Sequence, residues 1–337
     1  MSKIRIAING FGRIGRVTFR KLEDRSDMEV VAINDLTDPA NLAHLLKYDS
    51  VQREFDGTIE SNGNHLHVNN KKIIVLNEPD PSKLPWEDLN IDVVIESTGK
   101  FVDPVLAMKH IDKSGAKKVI ISAPAKGERD DVNYVVLGVN DHIINRDDVI
   151  ISNASCTTNN VAPLIKILDD NWGVEKGFIT TVHSYTKDQN LVDGPHKDWR
   201  RGRAAAYSIV PTTTGAAKAA TKIFPHLENN LGGAGIRVPV PDGSLTDLTC
   251  TLSKSTSVEE INKVFKDASE NEMKGILQYT SDPIVSVDVI GNTHSAVFDS
   301  NLTAVLGDKN KLVKVVAWYD NEMGYSTRLV ELIEKFV

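Results

Sequence analysis

The 337-residue sequence holds only two cysteines, Cys156 and Cys250, 94 positions apart. So sparse a complement gives no disulfide framework and fits a reducing compartment. No apolar run reaches the length needed to span a bilayer. The opening MSKIRIAING enters a strand pattern at once, so no secretory leader is expected. A cytoplasmic protein with no membrane partner is the expectation. An excess of positive charge is missing too. Lys and Arg number 39 against 46 Asp and Glu, and the net charge of −7 argues against nucleic acid or anionic membrane as the main partner. Repeats, low-complexity tracts and obvious linkers are absent. What remains is an ordinary soluble composition, 41% hydrophobic and 25% charged, with chain enough for about two domains.

One of the two cysteines stands in a telling place. Cys156 is the centre of SNASCTTNNVAP, after the apolar run DDVIIS and before APLIKILDDNWG, where apolar residues recur at helical spacing. A thiol at a strand-to-helix junction faces the unpaired N–H groups and partial positive charge of the helix start, which favour the reactive thiolate. Polar neighbours (Asn153, Ser155, Thr157, Thr158, Asn159) argue against an apolar pocket and for a nucleophile. Cys250 alternates with Leu248 and Leu252 in a strand pattern and reads as a core residue.

The chain opens with a strand at 3–9, followed by GFGRIG, in which Gly10, Gly12 and Gly15 have G-x-G-x-x-G spacing around Arg13 and Ile14. A helix pattern and a second strand, MEVVAIND, follow and end on Asp35, 20 residues past Gly15. This is the dinucleotide-binding fingerprint: glycines let the backbone approach the pyrophosphate at a helix N-terminus, and the acid bonds the ribose hydroxyls. Asp35 would repel a 2′-phosphate, so NAD is expected over NADP. HLHVNNKKIIVL reads as a hairpin turning at Asn69–Asn70. IDVVIES reads as a buried strand ending in Ser97, Thr98 and Gly99, and Asp103-Pro104 starts a helix over 105–112. KKVIIS (ending at Ser122), NYVVLGV and DDVIIS read as further strands. Strands interleaved with helices imply an α/β domain with a Rossmann-type, mostly parallel sheet, whose ligands sit at the carboxyl ends of strands.

Beyond Cys156 the pattern changes. GFITTVHSYT is a strand carrying His183, 27 residues after Cys156, and an imidazole beside the thiol could exchange protons with it. A long irregular stretch over 187–207 carries Arg200, Arg201 and Arg203, a solvated face, an RNA contact, or an anion and subunit site. Thr214-Gly215 precedes a helix and is a further candidate anion site. AGIRVPV, SLTDLTCTLSK, PIVSVDVI, SAVFDS and LVKVVAWYD read as strands, and Ser257 with Glu260 as a capping box. The second half therefore reads as an α+β catalytic domain with a mainly antiparallel sheet. The expected division is 1–155 for the NAD-binding domain, completed by a helix over 321–337, and 156–320 for the catalytic domain.

NGFGRIGR, SNASCTTN, VHSYTKDQ, RRGRAAAYSIVPTTTGAAKA, RVPVP and WYDNEMGYS, in this order and spacing, resemble phosphorylating glyceraldehyde-3-phosphate dehydrogenases along nearly the whole chain. The resemblance implies a glycolytic, NAD-dependent oxidation of glyceraldehyde 3-phosphate with inorganic phosphate. Cys156 would form a hemithioacetal and then a thioester, with His183 as base and no metal. It implies that Thr186 and Arg237 hold the substrate phosphate, and that Ser155, Thr157, Thr214, Gly215 and Arg201 serve inorganic phosphate. Asn321 would bond the nicotinamide amide, alongside a cofactor site of Gly10, Gly12, Arg13, Ile14, Gly15, Asp35, Ser97, Thr98, Gly99 and Ser122. The 187–207 stretch resembles the loop that lines a neighbouring subunit's NAD site, implying a homotetramer. Two positions depart from the family's common pattern: Asn160 stands where a second cysteine is frequent, and Met323 where tryptophan is common. The competing readings are an erythrose-4-phosphate dehydrogenase, which has the same nucleophile motif, and a non-catalytic Rossmann binding module.

Overall fold

The computed structural model describes residues 3–127, 132–307 and 309–337. The chain forms two compact units. The first takes residues up to Val135, His142–Ala154 and Ser326–Val337, and the second takes Val136–Asp141 and Ser155–Tyr325.

Among the described residues, the first unit is built on a nine-stranded sheet. Its spatial order is Ile59–Asn62, His65–Val68, Lys71–Leu76, Met28–Asn34, Ile4–Asn9, Val93–Glu96, Lys118–Ile121, Ile150–Ser152 and Asn133–Tyr134. Only the edge hairpin pairs are antiparallel, and every pair from Lys71–Leu76 onward is parallel. Central strands of such a sheet are covered on both faces. Ile6, Ala7 and Ile8 are accordingly all buried, although the isoleucines alternate in sequence. The helix Arg13–Glu23 supplies one cover through Val17, Phe19 and Leu22.

The second unit carries an eight-stranded sheet among the described residues. Val210–Thr212, Leu231–Val238, Val174–Ser184, Ser244–Leu252, Leu312–Tyr319, Ala296–Asp299 and Leu277–Thr280 lie side by side, and Ala304–Leu306 pairs with Leu312–Tyr319. Leu231–Val238 runs parallel to Val174–Ser184, and Leu277–Thr280 parallel to Ala296–Asp299. The remaining pairs are antiparallel. Strand Ser244–Leu252 alternates buried and half-buried residues along its length, the signature of a sheet with one covered face. The helix Cys156–Trp172 buries Val161, Leu164, Ile165 and Leu168. Ser257 and Glu260 close the expected capping box on Val258–Glu270. The α/β reading with a mostly parallel first sheet and a mainly antiparallel second one is borne out.

Three local expectations are corrected. NYVVLGV pairs only at Asn133–Tyr134, because the Asn140 Oδ1 takes the Val136 amide at 2.8 Å and Gly138 turns the chain at φ +78°. PIVSVDVI is not a strand. Asp288 accepts from the Val285 amide at 2.8 Å and closes a short 3-10 turn over Ser286–Val289, leaving Val285 and Val287 exposed. The helix expected over 105–112 is broken at Met108 into Pro104–Ala107 and Lys109–Asp112, with Asp103 capping the first through the Val105 amide.

Candidate active site

In the first unit the cofactor residues gather at the carboxyl ends of three adjacent strands. Asn9 pairs in register with both Asn34 and Glu96. Gly10 has φ +94°, and a Cβ there would lie 2.6 Å from the Thr98 amide nitrogen, so only glycine lets the two turns touch. Ser97 ties them further: its amide donates to Asn9 O at 2.8 Å and its hydroxyl to Gly10 O at 2.7 Å. Ser122 joins from the next strand, its amide donating to Glu96 O at 2.9 Å. Gly12 caps the helix Arg13–Glu23 with no side-chain hydrogen bond, and nothing stands within 4 Å of the place a Cβ would take. Open space before an uncapped helix start fits a pyrophosphate. Asp35 accepts from the Phe11 amide at 2.8 Å and the Thr37 amide at 3.0 Å, which holds its carboxylate beside the glycine turn. Arg13 pairs with Asp49, and Gly99 follows Thr98 at φ +71°.

In the second unit Cys156 is the first residue of its helix, and the Ser155 hydroxyl caps that helix by accepting from the Thr158 amide at 3.1 Å. Cys156 Sγ lies 3.5 Å from His183 Nε2. On the far side of the ring, His183 Nδ1 is 2.7 Å from Ser184 O and 2.6 Å from Arg237 Nη1, which also donates to Ser184 O at 2.8 Å. A proton on Nδ1, donated to Ser184 O, leaves the Nε2 lone pair facing the thiol, and Arg237, a donor only, then spends its N–H on Ser184 O rather than on the ring. Register explains the meeting, since His183 pairs with Arg237 across two parallel strands. Burial, then the Arg237 charge, lowers the His183 pKa to about 3. Burial pushes the Cys156 thiol up, and Arg237 partly offsets this. Both shifts favour a thiol beside a neutral imidazole, against the pull of the helix start toward the thiolate.

The anion residues divide. Arg237 stands against His183. Arg201 instead pairs with Asp188, donates to Thr212 Oγ1 at 2.9 Å and lies 3.5 Å from Asp198. Thr214 accepts from the Ala216 amide at 3.2 Å at the start of Ala216–Ile223, with Gly215 at the cap. Thr186 sits on the turn after Val174–Ser184, its carbonyl accepting from the Gln189 amide. Asn321 Oδ1 accepts from the Ser184 hydroxyl at 2.8 Å and the Ser244 hydroxyl at 2.6 Å, which fixes the flip of its side-chain amide.

Sequence reasoning missed Tyr319. Its hydroxyl, fully buried, bonds both Thr157 and Thr181 at 2.9 Å, and its ring meets His183 edge-on at 6.0 Å. The residue stood in WYDNEMGYS, yet nothing in its spacing marked it. Asn160 also gains a role. Its NH2 group donates to Ser295 O at 3.3 Å and Trp318 O at 3.2 Å, pinning the nucleophile's helix to the strand Leu312–Tyr319 and to the residue that leads into Ala296–Asp299.

Both halves of the chain match one family. Residues 4–104 match the glyceraldehyde 3-phosphate dehydrogenase NAD binding domain, and residues 155–321 match its C-terminal domain. The chain belongs to the glyceraldehyde-3-phosphate dehydrogenase family. A Thermotoga maritima glyceraldehyde-3-phosphate dehydrogenase is 56% identical over 332 residues, 98% of each chain. Proteins of the same name from Borreliella burgdorferi and Geobacillus stearothermophilus are 52% and 53% identical, over 99% and 98% of this chain and 100% and 97% of theirs. In this family the first unit is an NAD-binding domain, so NAD is the cofactor.

Proposed function

We propose that this enzyme oxidises glyceraldehyde 3-phosphate to 1,3-bisphosphoglycerate with NAD and inorganic phosphate. The observation that carries the reading is the Cys156 thiol at a helix start, 3.5 Å from a histidine base that Ser184 O orients. Cys156 Sγ attacks the aldehyde carbon while His183 Nε2 takes the thiol proton and hands it to the aldehyde oxygen, giving a hemithioacetal and a neutral imidazole. NAD, when bound, supplies the hydride acceptor. His183 then takes the hemithioacetal hydroxyl proton as the carbonyl reforms, leaving a thioester on Cys156. Phosphate oxygen attacks the thioester carbon, the C–S bond breaks, and the departing sulfur takes the proton that His183 holds, so the thiol and the neutral imidazole return. A thioester is needed because it keeps the acyl group reactive enough to become an acyl phosphate.

Two anion sites serve these steps. Thr186 and Arg237 take the substrate phosphate, and Ser155, Thr157, Thr214, Gly215 and Arg201 take inorganic phosphate. The net charge of −7 supports such concentrated donors. Arginine suits both sites through its forked donors. A homotetramer is the proposed assembly. Trp199 and Tyr207 are 88% and 91% exposed in the single chain, with the exposed Leu191, Val192 and Ile209 near them in sequence, apolar surface that a subunit contact would cover. Cytoplasmic location is proposed with it. Among the described residues no helix is long and apolar enough to cross a membrane.

The test is NADH formation from glyceraldehyde 3-phosphate. Sustained turnover should require phosphate or arsenate, and without either a burst of one NADH per site should stall at the thioester. Steady phosphate-independent turnover, or a preference for erythrose 4-phosphate, would overturn the assignment.

A further inference from the structure

The described chemistry leaves unused a buried polar network in the NAD-binding unit. Glu96 ends the strand Val93–Glu96, inside a run that is otherwise apolar, and is 2% exposed. Four donors converge on its two oxygens. Oε1 accepts from the Thr98 amide at 2.8 Å and from the Thr98 hydroxyl. Oε2 accepts from the Asn9 NH2 group and from His110 Nε2 at 3.2 Å. A carboxylate offers about four lone-pair directions, so the group is saturated.

The donors are themselves held. Trp86 Nε1 donates to His110 Nδ1 at 2.9 Å, which puts the His110 proton on Nε2, facing Glu96. Trp86 and His110 are both fully buried. Asn9 Oδ1 accepts from the Asn34 NH2 group at 2.7 Å, and the Gly10 amide donates to Asn34 O at 2.8 Å. An unbroken line of bonds therefore runs from Thr98 through Glu96 and Asn9 to Asn34, the neighbour of Asp35. It links the two turns that flank the crevice where a Rossmann sheet takes its ligand.

We propose that Glu96 is a positioning residue for the cofactor site, its carboxylate clamping the Thr98 turn against the Asn9–Gly10 turn so that both meet NAD in one geometry. The inference rests on the NAD-binding reading of this unit. Glu96 touches no cofactor itself and acts through Thr98 and Asn9. An amide in its place turns an NH2 group into one of two donor pairs, whichever way it is flipped. A turn that loses its acceptor is then free to move.

The test measures NAD dissociation constants directly, with thermal melting in parallel. Glu96→Gln should weaken NAD binding roughly tenfold, the scale set by one donor pair left without an acceptor. The KM for NAD should rise with it, while kcat at saturating NAD falls less than about twofold. Against a Thr98→Val background the same substitution should cost clearly less, because its hydroxyl link is already gone. Trp86→Phe keeps the packing but frees His110 to move its proton to Nδ1. It should weaken NAD binding by roughly two- to fivefold, and it carries the test alone if Glu96→Gln does not fold. A lowered melting temperature with an unchanged NAD constant in both variants would overturn the inference and leave the network purely structural. So would a Glu96→Gln cost that neither Thr98→Val nor Trp86→Phe reduces. Failure of the unmutated protein to bind NAD would overturn the NAD-binding reading along with it.

Discussion

Single residues decide the chemistry. Cys156→Ser should abolish turnover and the NADH burst while NAD still binds, read by stopped-flow absorbance and by titration. His183→Asn should slow the burst by roughly a hundredfold or more, the usual contribution of a positioned base. Arg237 lowers the His183 pKa by direct charge and contact, so Arg237→Gln should move the ring's titration up from about 3 toward its ordinary 6.5. Ring-proton NMR across pH would show it, and an unmoved titration would leave burial as the sole cause. Asp35→Ala should weaken NAD binding and narrow the preference over NADP, measured as the ratio of the two dissociation constants. Much of this site was legible: a cysteine between a strand and a helix, a glycine turn, and an acid at the right spacing need only local pattern. Tyr319, Ser244 and Glu96 were not, because their partners are 60 or more residues away in sequence for Ser244 to Ser184, and further for Thr157 to Tyr319 and Asn9 to Glu96. Only the folded sheets bring such groups together.

At the scale of elements, the helix Cys156–Trp172 must hold the nucleophile still. Two devices do this: the Ser155 cap at its start and the Asn160 bridge one turn later. Asn160→Ala should leave the Ser295 and Trp318 carbonyls without that donor, destabilising the fold by about 1–3 kcal/mol, read by denaturant melts. The departure from a second cysteine is therefore structural here as well as a lost redox group. Element reading from sequence failed where side chains took over backbone bonds. Asn140 and Asp288 each captured an amide that a strand would have used, and a hydrophobic pattern carries no sign of that competition. It succeeded for Ser244–Leu252 and Val258–Glu270, where burial alternation and a capping box are written locally.

For the whole molecule, stability should respond to pH through two buried groups of opposite sign. His183 titrates near 3 when folded and near 6.5 when unfolded, so its stabilisation is complete above 6.5 and is lost as pH falls toward 3. Asp242, raised from 3.8 to about 9 by burial and by the neighbouring Asp320 and Glu322, behaves the other way: its stabilisation is complete below 3.8 and is lost as pH rises through 9. Asp242→Asn mimics the protonated acid. Its melting temperature should therefore gain on the parent as pH climbs from 5 to 9, by roughly 3 °C or more at the upper end. A constant offset across that range would mean that Asp242 carries no proton in the fold.

The second cysteine has a practical consequence. Cys250 is 1% exposed, and burial pushes its thiol up to about 12, so near neutral pH it is neither ionised nor reachable. With asparagine at 160, a single thiol in each chain, that of Cys156, can meet a reagent. One equivalent of an alkylating label counts working catalytic centres directly, and a preparation's inactive fraction can be read as unlabelled protein by intact mass, without any assay of turnover.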